Sequence, residues 1–185
     1  MKGEWCYNQN YFSKQECEKI INDCCLISAE EGTIKTDSYI DETIRRSKVR
    51  WVRETDEYRW IFEKFWKFVR EANNEWFQFN ISNLDYLQFT EYNDSYKGEY
   101  KDHVDTFWLT EKKHRKVSVV LQLSDQSFYQ GGQLVFSDID EYPDPVINNQ
   151  GTIIAFPSFV KHRVEPVTEG QRYSLVGWFE GPHFV

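Results

Sequence analysis

The sequence predicts a mainly β domain of the sandwich, barrel or jelly-roll kind, preceded by helices, and three observations predict it. From about residue 80 onward, short runs of β-branched and aromatic residues alternate with turn-forming residues. Before residue 80 the apolar residues recur at helical spacing instead. Aromatic residues make up 17% of the chain and are spread along it, with Trp5, Trp51, Trp60, Trp66, Trp76, Trp108 and Trp178 falling in most segments, which argues for a folded globule throughout.

The first helix is expected over 14–25. Ser13 can accept from the free amides of its first turn, and Glu16 stands three residues later as in a capping box. Cys17, Ile20, Ile21 and Cys24 then share one face. A second helix is expected over about 55–72, with Ile61, Phe65, Phe68 and Ala72 in one stripe; its aromatic density predicts that it lies against the body of the protein. Strands are predicted at 86–92, 116–123, 133–136, 152–156 and 173–179. Breaks are expected at Asn93-Asp94-Ser95, Gly131-Gly132, Tyr142-Pro143-Asp144-Pro145, 148–151 and Glu169-Gly170. No repeat or linker divides the chain, and 185 residues suffice for one buried core. Residues 1–185 therefore read as one domain, with helical support over about 1–80 and a β core over about 81–185.

The formal charge of -8 argues against duplex nucleic acid as a partner, because backbone binding needs cations to neutralise phosphates. The densest basic run, Arg45, Arg46, Lys48, Arg50 and Arg53, reads either as a local patch or as a solvated edge strand. All four cysteines lie in the first 25 residues without a CxxC pair, and read as reduced and structural. With no signal-like start and no apolar run long enough to cross a bilayer, the expectation is a soluble, intracellular (cytoplasmic) protein without a membrane partner.

Chemistry concentrates in His103-Val104-Asp105 and His162. Two imidazoles and one carboxylate are the ligand set of an open metal triad, which leaves positions for other ligands on Fe(II). Residues two apart in an extended segment project to one face, so His103 and Asp105 can grip one ion while Val104 points away. A bare HxD is weak; the order of features around it strengthens it. His162 follows an apolar strand that ends in a Pro-bearing turn, and Arg172 comes ten residues later. An arginine pointing into an apolar barrel is costly unless it meets an anion, which makes Arg172 the expected anchor for a dicarboxylate. A β domain that binds metal or a protein partner without turnover, and a cupin-like enzyme without a dicarboxylate cosubstrate, remain alternatives.

Tyr100-Lys-Asp-His103-Val-Asp105, Gly131-Gly132-Gln-Leu, Phe156-Pro157-Ser158, His162-Arg-Val-Glu-Pro-Val and Gly170-Gln-Arg172-Tyr-Ser174-Leu-Val-Gly-Trp178 resemble the successive signatures of the prolyl 4-hydroxylase and PKHD-type 2-oxoglutarate oxygenases over roughly residues 85–180. The resemblance is weaker in the N-terminal third, through Ile44-Arg45-Arg46-Ser47-Lys48-Val49-Arg50-Trp51. It implies a double-stranded β-helix (jelly-roll, cupin-like) with N-terminal helices packed on one sheet. It also implies Fe(II) bound by His103, Asp105 and His162 as the catalytic centre, 2-oxoglutarate anchored by Arg172, and O2 as oxidant, with ascorbate as a candidate reductant. Tyr92, Ser174 and Gln122 are the further cosubstrate residues it implies, and Arg45 and Trp178 would edge the substrate groove. Arg172 stands where collagen-type enzymes have lysine. The substrate so implied is a prolyl residue of a peptide or protein, in a proline-rich setting, hydroxylated with release of succinate and CO2; another residue or a small metabolite is the alternative. Plain readings stay open for Tyr92 and Trp178 as core aromatics and for Gly131-Gly132 as a hairpin turn. His114 and His183 read as surface residues.

Overall fold

The computed structural model describes residues 3–32, 41–106, 113–139 and 145–184, so the expectations placed on Trp108 and on Tyr142-Pro143-Asp144 lie outside the described residues. The chain opens with β1 (Cys6–Asn8), α1 (Lys14–Cys25), β2 (Glu30–Glu31), β3 (Arg45–Arg46), β4 (Lys48–Arg53) and α2 (Arg59–Ala72). There follow β5 (Tyr86–Asn93), β6 (Glu99–His103), β7 (His114–Gln122), β8 (Tyr129–Gly131), β9 (Leu134–Phe136), β10 (Ile153–Pro157), β11 (His162–Val164) and β12 (Val167–Gly181). The first 80 residues thus supply four strands besides the two helices.

The α1 start follows its sequence signal. Ser13 Oγ accepts from the Glu16 amide at 3.2 Å, and Glu16 accepts from the Ser13 amide at 2.7 Å. α2 begins four residues later than expected, because the Thr55 carbonyl takes the Tyr58 and Arg59 amides in a turn that precedes the regular helix. The short strands β1, β3, β6 and β11 carry no clear alternation of their own. They form through pairing: β1 on the edge of β10, and β3, β6 and β11 with one another and with β9.

The strands make two sheets. The larger runs β1-β10-β7-β12-β5-β4-β2 with β8 added to β12, and the smaller runs β3-β6-β11-β9. Both helices cover the outer face of the larger sheet. Cys17, Ile20 and Cys24 of α1 and Ile61, Phe62, Phe65 and Val69 of α2 bury against Leu87, Phe89, Val119, Leu121, Leu175 and Phe179. The intervening residues face the other way: Val120, Ile154 and Phe156 pack on Leu134 and Phe136 of the smaller sheet. A central strand buried on both faces reads as a near-continuous apolar run, as β7 does. Gly177 is where helix and sheet come closest, since a Cβ there would meet Leu87 Cδ2 at 2.8 Å and Phe65 Cδ1 at 3.3 Å.

Two expected breaks are more than simple turns: one lies within a strand and the other carries the chain between sheets. Glu169-Gly170 lies inside β12, where Gly170 takes φ 75° as the strand passes from pairing with β8 to pairing with β5 and β7. Gly131-Gly132 makes no simple hairpin. β8 pairs with β12 of the larger sheet and β9 with β11 of the smaller, so the two glycines carry the chain between sheets with φ 75° and 67°. His114, expected at the surface, is 6% exposed and stacks on His183 with ring centroids 4.2 Å apart, because the C-terminal segment folds across the start of β7. Cys17 and Cys24 are core residues, whereas Cys25 is exposed. No helix among the described residues is long and apolar enough to cross a membrane.

Leu175 lies fully buried in β12 between the helices and the sheet. Leu175→Ala should cost about 2–5 kcal/mol, against about 1 kcal/mol for the cap variant Ser13→Ala, both read from urea midpoints at constant m-value. Equal losses in the two variants would contradict this packing.

Candidate metal centre and its cavity

Strand pairing brings the two histidines together. β6 and β11 run antiparallel with His103 opposite His162, and the ring centroids are 4.2 Å apart. Asp105, two residues past His103, is fixed by its backbone: the Asp105 and Thr106 amides both donate to the Ser158 carbonyl, at 2.8 and 3.1 Å. The Asp105 carboxylate then stands 3.7 Å from His103 Nε2 and 3.6 Å from His162 Nε2. One ligand atom from each of the three residues lies within 4.8 Å of the others, so the group could hold a metal ion.

Each imidazole is aimed by the carbonyl two residues upstream. His103 Nδ1 is 2.7 Å from the Lys101 carbonyl and His162 Nδ1 is 3.0 Å from that of Val160. A carbonyl only accepts, so Nδ1 is assigned the proton and each Nε2 presents its lone pair to the shared point. Burial, reinforced by His162, pushes the His103 imidazolium down to about 3, which leaves the ring neutral near pH 7. Burial opposes the charge on Asp105, but the groups around it, His162 foremost, overcome that and hold its carboxyl at about 2. Ser118 Oγ donates to Asp105 Oδ2 at 2.6 Å and lies 3.0 Å from Ser158 Oγ. Two imidazoles and a carboxylate are the donor set that a divalent iron ion takes.

These ligands form one wall of a cavity of about 630 Å3. Alternate residues of two paired strands, Gln88, Thr90 and Tyr92 of β5 and Arg172, Ser174 and Val176 of β12, point into it. Arg172 is 1% exposed. Its Nη2 donates to Gln122 Oε1 at 2.8 Å, while Nε and Nη1 are buried without a protein partner. Tyr92 sits opposite Arg172 in register, its ring centroid 5.4 Å from the guanidinium carbon. A buried guanidinium with unpaired nitrogens is costly alone, and a carboxylate entering the cavity could accept from it. The site therefore fits a diacid whose other end reaches the metal position.

Of the residues singled out in the sequence, His103, Asp105, His162, Arg172, Tyr92, Ser174, Arg45 and Trp178 all line this one cavity. Gln122 stands behind Arg172 and orients it. The basic run around Arg45 disperses: Arg46 pairs with Glu99 at 2.5 Å and Arg50 with Glu91 at 2.9 Å. Sequence reasoning missed Ser118, for which period-two alternation back from Gln122 was an available signal. It also missed Arg115, which had none. In the β7–β12 pairing Phe179 faces Val117 and Glu180 faces Arg115, so Lys116 is an extra, bulged residue. The bulge turns Arg115 into the cavity, 4.0 Å from the Trp178 ring, whereas strict alternation would have put Lys116 there.

Residues 87–180 match the 2OG-Fe(II) oxygenase superfamily. A PKHD-type hydroxylase of Synechococcus sp. is 38% identical over 84 residues, 45% of this chain and 37% of that protein. Another, from Idiomarina loihiensis, is 39% identical over 64 residues, 35% of this chain and 29% of that protein. The matched part thus spans about a third of the length of these relatives. A prolyl-4-hydroxylase of Pseudomonas putida superposes with a TM-score of 0.74 at 23% identity, over 97% of this chain and 94% of that one. A prolyl hydroxylase of Trichoplax adhaerens, in complex with a hypoxia inducible factor oxygen degradation domain peptide fragment, gives 0.75 at 18% identity, over 95% and 83%. At these identities the likeness is one of fold, the double-stranded β-helix.

Ser118→Ala should weaken Mn(II) binding by about 10- to 100-fold in calorimetry, because it frees the Asp105 carboxylate. The metal-free protein should lose stability as pH falls from about 6.5 to about 3, since the unfolded chain takes up a proton on His103 that the folded one refuses. His103→Gln should remove that part of the slope in denaturant midpoints followed across pH.

Proposed function

Since the chain belongs to the 2OG-Fe(II) oxygenase superfamily, we propose that it is an Fe(II)- and 2-oxoglutarate-dependent hydroxylase acting on prolyl residues of a peptide or protein. The observation that carries the reading is one cavity with the Nε2 atoms of two imidazoles and a carboxylate on one wall and a partly unpaired guanidinium lining the same space. In this reading residues 1–185 act as one catalytic unit, and the helices stiffen the sheet that bears Arg172.

His103, Asp105 and His162 hold Fe(II), and Arg172 takes the far carboxylate of 2-oxoglutarate. Bound together with O2, iron and cosubstrate supply the oxidative decarboxylation to succinate and CO2 that is coupled to hydroxylation of a C–H bond. The protein's own part is placement and exclusion. Gln122 fixes the Arg172 fork, so the diacid has one orientation. Tyr92 and Ser174 stand in register beside Arg172 and Gln122 and offer hydroxyls at that end. Leu134, Val120 and Val164 add apolar surface to the cavity lining, which limits water there. Asp105 is held ionised, with Ser118 donating to its carboxylate.

Support for a prolyl substrate comes from the named relatives and from the outer half of the cavity. There Trp51, Tyr86 and Trp178 line the cavity, and aromatic side chains suit the rigid rings and pre-extended backbone of a proline-rich chain. Cys17 and Cys24, packed as apolar core residues, suit a reducing intracellular setting.

With Fe(II), ascorbate and 2-oxoglutarate, the protein should release succinate, and His103→Ala and Asp105→Ala should reduce it to background. Arg172→Ala should raise KM for 2-oxoglutarate at least about tenfold, the loss expected from hydrogen bonds between charged groups. Proline-rich peptides should gain one oxygen on proline by mass spectrometry. Full succinate release by the two ligand variants would refute the chemistry; oxygen found only on other residues or on a small metabolite would refute the substrate.

A further inference from the structure

The ring of His103 is held by more than its Nδ1 hydrogen bond. Tyr100, three residues earlier on β6, lays its ring against that of His103, with centroids 3.5 Å apart and planes within 12°. Arg45 stands over the same phenol ring, its guanidinium carbon 4.6 Å from the centroid, and is the cross-strand partner of Tyr100 in the β3–β6 pair. Arg45 is no free arm at the edge of a groove. It is 7% exposed, and its Nε donates to Ser47 Oγ at 2.7 Å. The chain closes over this pair at Gly32, whose amide donates to the Ser47 carbonyl at 2.7 Å; a Cβ on Gly32 would fall 2.5 Å from Arg45 Nε.

An imidazole anchored through one N–H can still rock about that bond, because the terminal torsion of histidine has broad minima. A phenol stacked at 3.5 Å removes the rocking. A guanidinium over the phenol holds the phenol in turn, through attraction to its π face. We propose that Arg45 and Tyr100 are positioning residues for the metal: Arg45 fixes Tyr100, and Tyr100 fixes the plane of His103, so that Nε2 is aimed before an ion arrives. This rests on the reading of His103, Asp105 and His162 as a metal site. It assigns Arg45 work on the metal side of the cavity in place of contact with the substrate. Among the described residues His162 has no such stack: its ring meets Phe156 edge-on, at 4.7 Å and 64°. The two imidazoles are thus held by different means, and only His103 depends on a charged residue from the N-terminal third.

The test is calorimetric titration of the full chain with Mn(II), a redox-stable stand-in for Fe(II), together with the visible absorption of the Co(II)-loaded protein. Tyr100→Ala should raise the Mn(II) Kd about tenfold and alter the Co(II) bands, while Tyr100→Phe, which keeps the ring, should stay within about twofold of wild type. Arg45→Met should raise the Kd about threefold, with Arg45→Lys restoring much of the loss. Circular dichroism on each metal-free variant checks folding, and Arg45→Met carries the test if Tyr100→Ala does not fold. Unchanged Mn(II) affinity and Co(II) bands in Arg45→Met, with only the peptide KM raised, would overturn the proposal and return Arg45 to the substrate. A wild-type protein that binds neither Mn(II) nor Co(II) would overturn the metal reading itself and this inference with it.

Discussion

The Ser158 carbonyl accepts from the amides of both Asp105 and Thr106, and the geometry of the site depends on that double contact. It ties the segment after β6 to the turn between β10 and β11, so the carboxylate on one segment and the histidine that follows the other cannot move apart. The Ser158 side chain adds a second tie through Ser118, which itself holds Asp105. Three ligands from distant parts of the chain thereby reach one point before any ion is present. Most of the ordering cost is met by folding, which leaves little to be met on binding.

Burial gives the same site its charge states. Removing His103 from water disfavours the imidazolium, and a neutral ring is the form that can coordinate. Asp105 feels the same desolvation and remains ionised, with the Ser118 hydroxyl donating to it and the Arg115 charge favouring it. At the other end of the cavity Arg172 is buried with part of its hydrogen-bonding capacity unmet, an arrangement that makes sense when a carboxylate completes it. The cavity thus offers both a cation and a metal-binding cluster, a polarity suited to a short diacid that reaches the two.

Much of the fold was legible because the signals were local. The α1 capping box, the apolar stripe of α2 and the β-branched and aromatic runs of β5, β7, β10 and the middle of β12 follow from neighbouring residues alone. β6 and β11 were not legible as strands. Their residues are mostly polar, and each is extended because the smaller sheet supplies hydrogen-bonding partners on both sides. It is these strands that carry His103 and His162.

The sequence by itself determined the identity and order of the groups that matter: His103, Asp105 and His162 as ligands of the right chemistry, and Arg172 as a cation with no obvious partner nearby. Those facts are written in residue type and spacing. Tertiary structure decided the rest. A bulge at Lys116 turns Arg115 inward, Gln122 backs Arg172 where it would have been expected to line the cavity, and Arg45 is clamped between Gly32, Ser47 and Tyr100. The physical reason is common to all three. Which way a side chain points, and what it meets there, depends on strand register and on contacts made by residues far apart in the chain, and neither is encoded within a short window of sequence.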